Sequence, residues 1–129
     1  MKKIKMNEEK LIILKVANYL TFIASVIIII MGGMLNHSVI ISNGCKMPVY
    51  TDEINFSNSK SHFSFTDKNA VNNFYLSDIF KIKIKNFLAI FSIGDFVVLL
   101  GFTFSIMSLV KKIKLNRRIK KNVRKEKIK

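Results

Sequence analysis

Residues 16–35, VANYLTFIASVIIIIMGGML, run for twenty positions without a charged side chain. At about 1.5 Å of rise per residue this makes a helix of about 30 Å, the thickness of the hydrocarbon layer of a bilayer. The run exceeds the apolar core of a secretory signal peptide, and MGGMLNHS offers no A-x-A cleavage site, so an uncleaved anchor is expected. A second block, FLAIFSIGDFVVLLGFTFSIMSLV at 87–110, carries one charge, Asp95, and is followed at once by KKIKLNRRIKK. The expected fold class is therefore membrane all-α, a two-helix transmembrane hairpin with a small extracytoplasmic loop of irregular and short-strand structure. Its segments are a basic N-terminus at 1–15, a first span at 16–35, the loop at 36–86, a second span at 87–110 and a polybasic tail at 111–129.

Charge sets the expected orientation. The chain has 129 residues and a net charge of +14, and 11 of its 22 Lys and Arg residues fall in 111–129. Five more precede the first block, whereas the 36–86 segment holds six, partly offset by Asp52, Glu53, Asp67 and Asp78. The positive-inside rule then places both termini in the cytoplasm of a multi-pass protein of the cell membrane. Lys81, Lys83 and Lys85 crowd the outer end of the second block, but three cations do not outweigh eleven.

Known chemistry is hard to find. Cys45 is the single cysteine, which excludes an intramolecular disulfide and a disulfide-stapled secreted domain. His37 and His62 are isolated, and no HExxH, CxxC, Walker loop or GxSxG elbow is present. No metal, cofactor or catalytic residue is implied, and the sequence leans away from an enzyme.

The loop carries its own pattern. SNG at 42–44 signals a turn, Pro48 disfavours helix at Met47, and HFSFT at 62–66 alternates as a half-buried strand does. NFYLSDIF at 73–80 has the apolar content of a segment lying on a membrane surface, and KIKIK at 81–85 alternates again.

Three features invite a functional reading. Asp95 sits nine residues into the second block, about 12 Å deep, where a carboxylate costs roughly 2.5–3.5 kcal/mol and needs a partner. Small residues form stripes, Ala17, Thr21, Ala24 and Gly32 in the first block and Gly94, Gly101, Ser105 and Ser108 in the second, that suit close helix packing. In the tail, Lys111, Lys112, Lys114, Arg117, Arg118, Lys120 and Lys121 are candidate contacts for anionic lipid headgroups, with Leu115, Ile119 and Val123 recurring every four residues as in a surface helix. Nucleic acid is disfavoured as a partner because the tail has no aromatic side chain to stack on bases.

Four pieces in order, N43-G44-C45-K46-M47-P48-V49, H62-F-S-F-T66, L76-S77-D78-I79 and S92-I93-G94-D95, resemble an uncharacterised bacterial membrane family, domain of unknown function five-three-one-seven. The resemblance covers about residues 41–107. It implies Asn43, Gly44, Met47, Pro48, His62, Asp78, Ser92, Gly94 and Asp95 as candidate binding residues, and lends no activity. Cys45 stands where that pattern has a second Gly, and Ser77 where it has the Gly of L-G-D-I. One picture joins the polar members: a loop bearing Asn43, His62 and Asp78 folds onto the mouth of the second helix and satisfies Asp95.

The leading functional expectation is a non-enzymatic membrane subunit or accessory protein that contacts itself or other membrane proteins. The alternative is an ion- or proton-coupled membrane protein or enzyme using Asp95 with His62 or Asp78. A holin-like pore former is a third reading, against which the long patterned loop argues.

Overall fold

The computed structural model describes residues 8–51, 60–85 and 87–126. Expectations resting on Lys2, Lys3, Lys5, Asp52, Glu53, Lys127 and Lys129, and on the side chain of Val123, lie outside the described residues. Two helices dominate. α1, Glu8–Ser42, has 35 residues and α2, Ile93–Glu126, has 34. Each is long and apolar enough to cross a membrane. Between them lie four short strands: β1 (Met47–Tyr50), β2 (His62–Phe65), β3 (Phe80–Ile84) and β4 (Phe87–Phe91).

Both inner helix boundaries differ from expectation. α1 runs through NHSVIIS to Ser42, because nothing in that stretch breaks a helix before the left-handed pair Gly44 (φ 68°) and Cys45 (φ 62°). There the Asn43 and Cys45 amides donate to the Ile40 carbonyl at 3.3 and 2.9 Å and close the C-terminus. At the other end, residues 87–91 are not helical. FLAIF pairs antiparallel with FKIKI in the register Phe80↔Phe91 to Ile84↔Phe87, and α2 starts only after Ser92. A short apolar run reads equally as helix or strand until its neighbour is known, and here the alternating Ile82 and Ile84 supply the partner.

The exposed Cys45 side chain sits at φ 62°, a conformation that costs a residue with a Cβ roughly 1 kcal/mol that glycine avoids. Cys45→Gly is expected to stabilise the chain by about 1 kcal/mol in thermal melts. Ser77, the other departure from the resembled pattern, has φ −69° and ψ 172°, so no glycine is required there.

The chain forms two compact units, one made of Met1–Ile27 and Gly101–Lys129, the other of Ile28–Leu100. In the first, α1 and α2 run antiparallel and are joined by buried hydroxyls. Ser108 Oγ donates to the Asn18 carbonyl at 3.0 Å. Ser25 Oγ gives its proton to the Phe22 carbonyl at 2.6 Å, so Ser105 is the donor in the 2.7 Å bond between Ser25 and Ser105. Of the expected α1 stripe only Gly32 is buried, in a row with Ser25 and Val39 at a spacing of seven, while Ala17, Thr21 and Ala24 are exposed. On α2 three members of the expected stripe, Gly94, Gly101 and Ser108, are buried, again seven apart, and Ser105 is half-buried. In a run as uniformly apolar as residues 22–31, hydrophobicity cannot report which side faces a neighbour.

In the second unit, β1 lies parallel to β2 in the register Met47↔His62 and is bridged on its other side by Asp78 through Val49. Met47, Pro48, Val49 and Phe65 are buried and form the core of this small sheet. Pro48 is tolerated in the middle because it serves as an acceptor, taking the Asp78 amide on its carbonyl at 3.0 Å. The 73–80 segment joins this sheet. It makes one 3-10 turn, Phe74–Leu76, and then enters the sheet at Asp78. Tyr50, Phe65 and Phe74 stack at 5.5–6.0 Å between ring centroids, with Lys68 over Phe74 at 5.3 Å and Lys81 over Tyr50 at 5.6 Å. The β3–β4 hairpin rests on the first turn of α2 through Phe80 and Phe91 against Phe96.

Candidate functional site

S92-I-G-D95 is a helix start. Ser92 Oγ accepts the Asp95 amide at 3.1 Å, and the Asp95 carboxylate accepts the Ser92 amide at 2.9 Å, the reciprocal arrangement of a capping box. Asp95 is thus the third residue of α2 rather than the ninth, and its charge lies where a helix N-terminus favours an anion. Asn36 of α1 completes the ring. Its Nδ2 donates to Asp95 Oδ1 at 2.8 Å, and its Oδ1 accepts from the Ser92 hydroxyl at 2.8 Å. The carboxylate is held by Asn36 of α1 and by the Ser92 amide, not by Asn43, His62 or Asp78 as expected.

Two glycines make room for this ring. A Cβ on Gly94 would fall on the Asn36 side-chain amide, and one on Gly32 would sit 2.7 Å from the Gly94 carbonyl. Asp95→Ala leaves the Ser92 amide and Asn36 Nδ2 without their acceptor, at a cost of about 2 kcal/mol. Combined with Asn36→Ala it should show a coupling of about 1 kcal/mol, whereas with Asn43→Ala the losses should add.

Asn43 serves elsewhere in the second unit. Its Nδ2 donates to the Val39 and Asn72 carbonyls, each at 2.9 Å, and its Oδ1 accepts the Asn72 amide at 2.9 Å. With Asn72 and Asn73 reaching Ser42 at 2.8 and 3.2 Å, the residue clips the 72–73 turn to the end of α1.

His62 and Asp78 do come together. His62 Nε2 is 3.9 Å from Asp78 Oδ2, and His62 Nδ1 is 2.8 Å from the Ser61 hydroxyl. Asp78 is buried by the sheet, with its amide and carbonyl both committed to β1. Burial raises its carboxyl to about 7, and repulsion from Asp95 adds to the effect. The sequence-derived candidates thus separate into three settings: a capping ring at Ser92, Gly94 and Asp95, a clip at Asn43 and Gly44, and a sheet holding Met47, Pro48, His62 and Asp78. Sequence reasoning missed Asn36, although S-x-x-D before an apolar run is a legible capping signal. Among the described residues no three His, Cys, Asp or Glu side chains converge as a metal ion would need.

In the first unit, Lys111, Lys112, Lys114, Arg117, Arg118, Lys120 and Lys121 are all exposed on α2, while Leu115 and Ile119 are half-buried. Residues 111–126 are helical and continue α2 directly.

The architecture is that of a protein with two long apolar helices and a small strand-bearing segment between them. The chain belongs to the family of unknown function DUF5317, whose model matches residues 10–107. No curated protein and no solved structure matches it.

Proposed function

We propose that the chain is a two-pass protein of the cell membrane, a helical hairpin with both termini cytoplasmic and the strand-bearing segment outside, acting as a non-enzymatic subunit or accessory protein. The observation that carries this reading is the exposure of the helices. Only 6% of the most apolar 18 residues of α1, and 17% of those of α2, are buried. A core helix of a water-soluble protein hides such residues, whereas Ile13, Tyr19, Met34, Leu99 and Ile106 here are each 60% exposed or more. Lipid is the solvent in which that surface is at no cost. A signal peptide fits poorly, because α1 continues unbroken through residues 33–37 and supplies Asn36 to the capping ring.

Support for a non-enzymatic role is the structural employment of the conspicuous polar residues: Asp95 caps a helix and Asn43 clips a turn. Cys45, exposed and single, is a native probe of orientation. A membrane-impermeant maleimide should label it on intact cells. Labelling only after permeabilisation would overturn the orientation, and a detergent-extracted chain with no crosslinked neighbour would overturn the subunit role.

The His62–Asp78 pair favours a second reading, a proton-responsive outer segment. Asp78→Asn would then leave assembly intact and abolish a pH-dependent activity.

A further inference from the structure

In the first unit a groove of about 530 Å³ runs between α1 and α2, within the size range of ligand sites. Its chemistry is graded along its length. One end carries Lys15, Lys112 and Asn116, while Tyr19, Phe22 and Leu109 line the stretch beyond. The grading arises because the two helix segments are antiparallel: Lys15 is the last charge before the apolar run of α1, and Lys112 belongs to the first pair of charges after that of α2. From Lys15 to Phe22 is about 10 Å of helix. A second groove, on Leu14, Ala17 and Thr21, is bordered by Lys111, Lys114 and Arg118. Neither groove has an acidic residue in its lining.

We infer that the groove bordered by Lys15 and Lys112 binds one anionic phospholipid, its phosphate between the two ammonium groups and an acyl chain along Tyr19, Phe22 and Leu109. The inference rests on the membrane reading above and goes beyond a diffuse attraction of the tail to headgroups. Charge complementarity selects the occupant. A zwitterionic lipid would offer its phosphate but set its own headgroup cation beside two ammonium groups, a soluble anion would leave the slot unfilled, and a second copy of the chain would bring a further cationic tail to a cationic site. Because each ammonium reaches the phosphate from a different helix, one bound lipid holds α1 and α2 together at this end.

The full chain, reconstituted in equal phosphatidylcholine and phosphatidylglycerol and then exchanged into mild detergent, should retain about one phosphatidylglycerol per chain by native mass spectrometry, at least about tenfold over phosphatidylcholine, a ratio worth about 1.4 kcal/mol. Lys15→Gln with Lys112→Gln should bring the ratio close to one. Lys10→Gln with Arg124→Gln removes the same charge from the same basic segments without touching the groove, and should leave retention unchanged. The chain has no tryptophan, so Tyr19→Trp supplies a local fluorophore. Brominated phosphatidylglycerol should quench it more strongly than brominated phosphatidylcholine at equal mole fraction. Equal retention of the two lipids by an inserted chain, equal quenching, or proportional loss in both charge variants would overturn the site. A chain that never enters the vesicles would overturn the membrane reading instead.

Discussion

Gly32→Ala should destabilise the chain by about 2–3 kcal/mol, while Gly33→Ala, one position along, should leave it unchanged or stabilise it by up to about 1 kcal/mol. The two glycines are equivalent in sequence and opposite in surroundings. A methyl at Gly32 would meet the Gly94 carbonyl and Val98 Cγ2 at 2.7 Å and the Val98 amide at 2.8 Å, and two of those three atoms are backbone that can yield only by moving α2. At Gly33 nothing lies within 4 Å, so alanine there gains helix propensity without a collision. Gly94→Ala should match or exceed the Gly32 loss, because its methyl displaces the Asn36 amide and opens the ring that caps α2. Thermal melts of the reconstituted variants give the comparison. Equal effects at Gly32 and Gly33 would mean that the helices do not approach each other there.

Asp78→Asn should remove a pH dependence. The carboxyl titrates near 7 in the folded chain against 3.8 when unperturbed, so the folded state binds the proton more tightly than the unfolded one. Stability is then complete below about pH 4, falls as pH rises toward 7, and is flat beyond. That difference corresponds to at most about 4 kcal/mol, lost from the wild-type chain by pH 8. Asparagine keeps the shape and carries no charge at any pH. The variant should match the wild type at pH 4 and melt higher at pH 8. A wild-type stability that is level between pH 4 and 8 would show that Asp78 is not buried as a carboxylate.

These predictions rest on placements that sequence reasoning reached unevenly. The two apolar blocks and the short strand at His62–Phe65 were readable, because a charge-free run and a period-two alternation are local signals. The role of KIKIK, and the assignment of FLAIF to a strand instead of a helix, depended on their pairing with each other, which is not local. Displacing the start of α2 by six residues turned Asp95 from a deep intramembrane acid into a capping residue. The α1 stripe failed for a related cause: where Ile and Val fill every side of a helix, only the small and polar residues Asn18, Ser25 and Gly32 mark the packed face, and their spacing of seven is the readable cue. The resemblance marked His62 and Asp78 only as separate candidates; their approach to 3.9 Å and the burial that raises the Asp78 carboxyl depend on the sheet around them, which is not a local signal.

The central claim is that lipid, not protein, covers the outer faces of α1 and α2. Treating isolated membranes with alkaline carbonate and then with detergent measures this directly. The expected result is a chain that stays with the membrane through the carbonate wash and leaves it only in detergent. Recovery in the carbonate supernatant, or a purified chain that remains monodisperse in plain buffer, would contradict it.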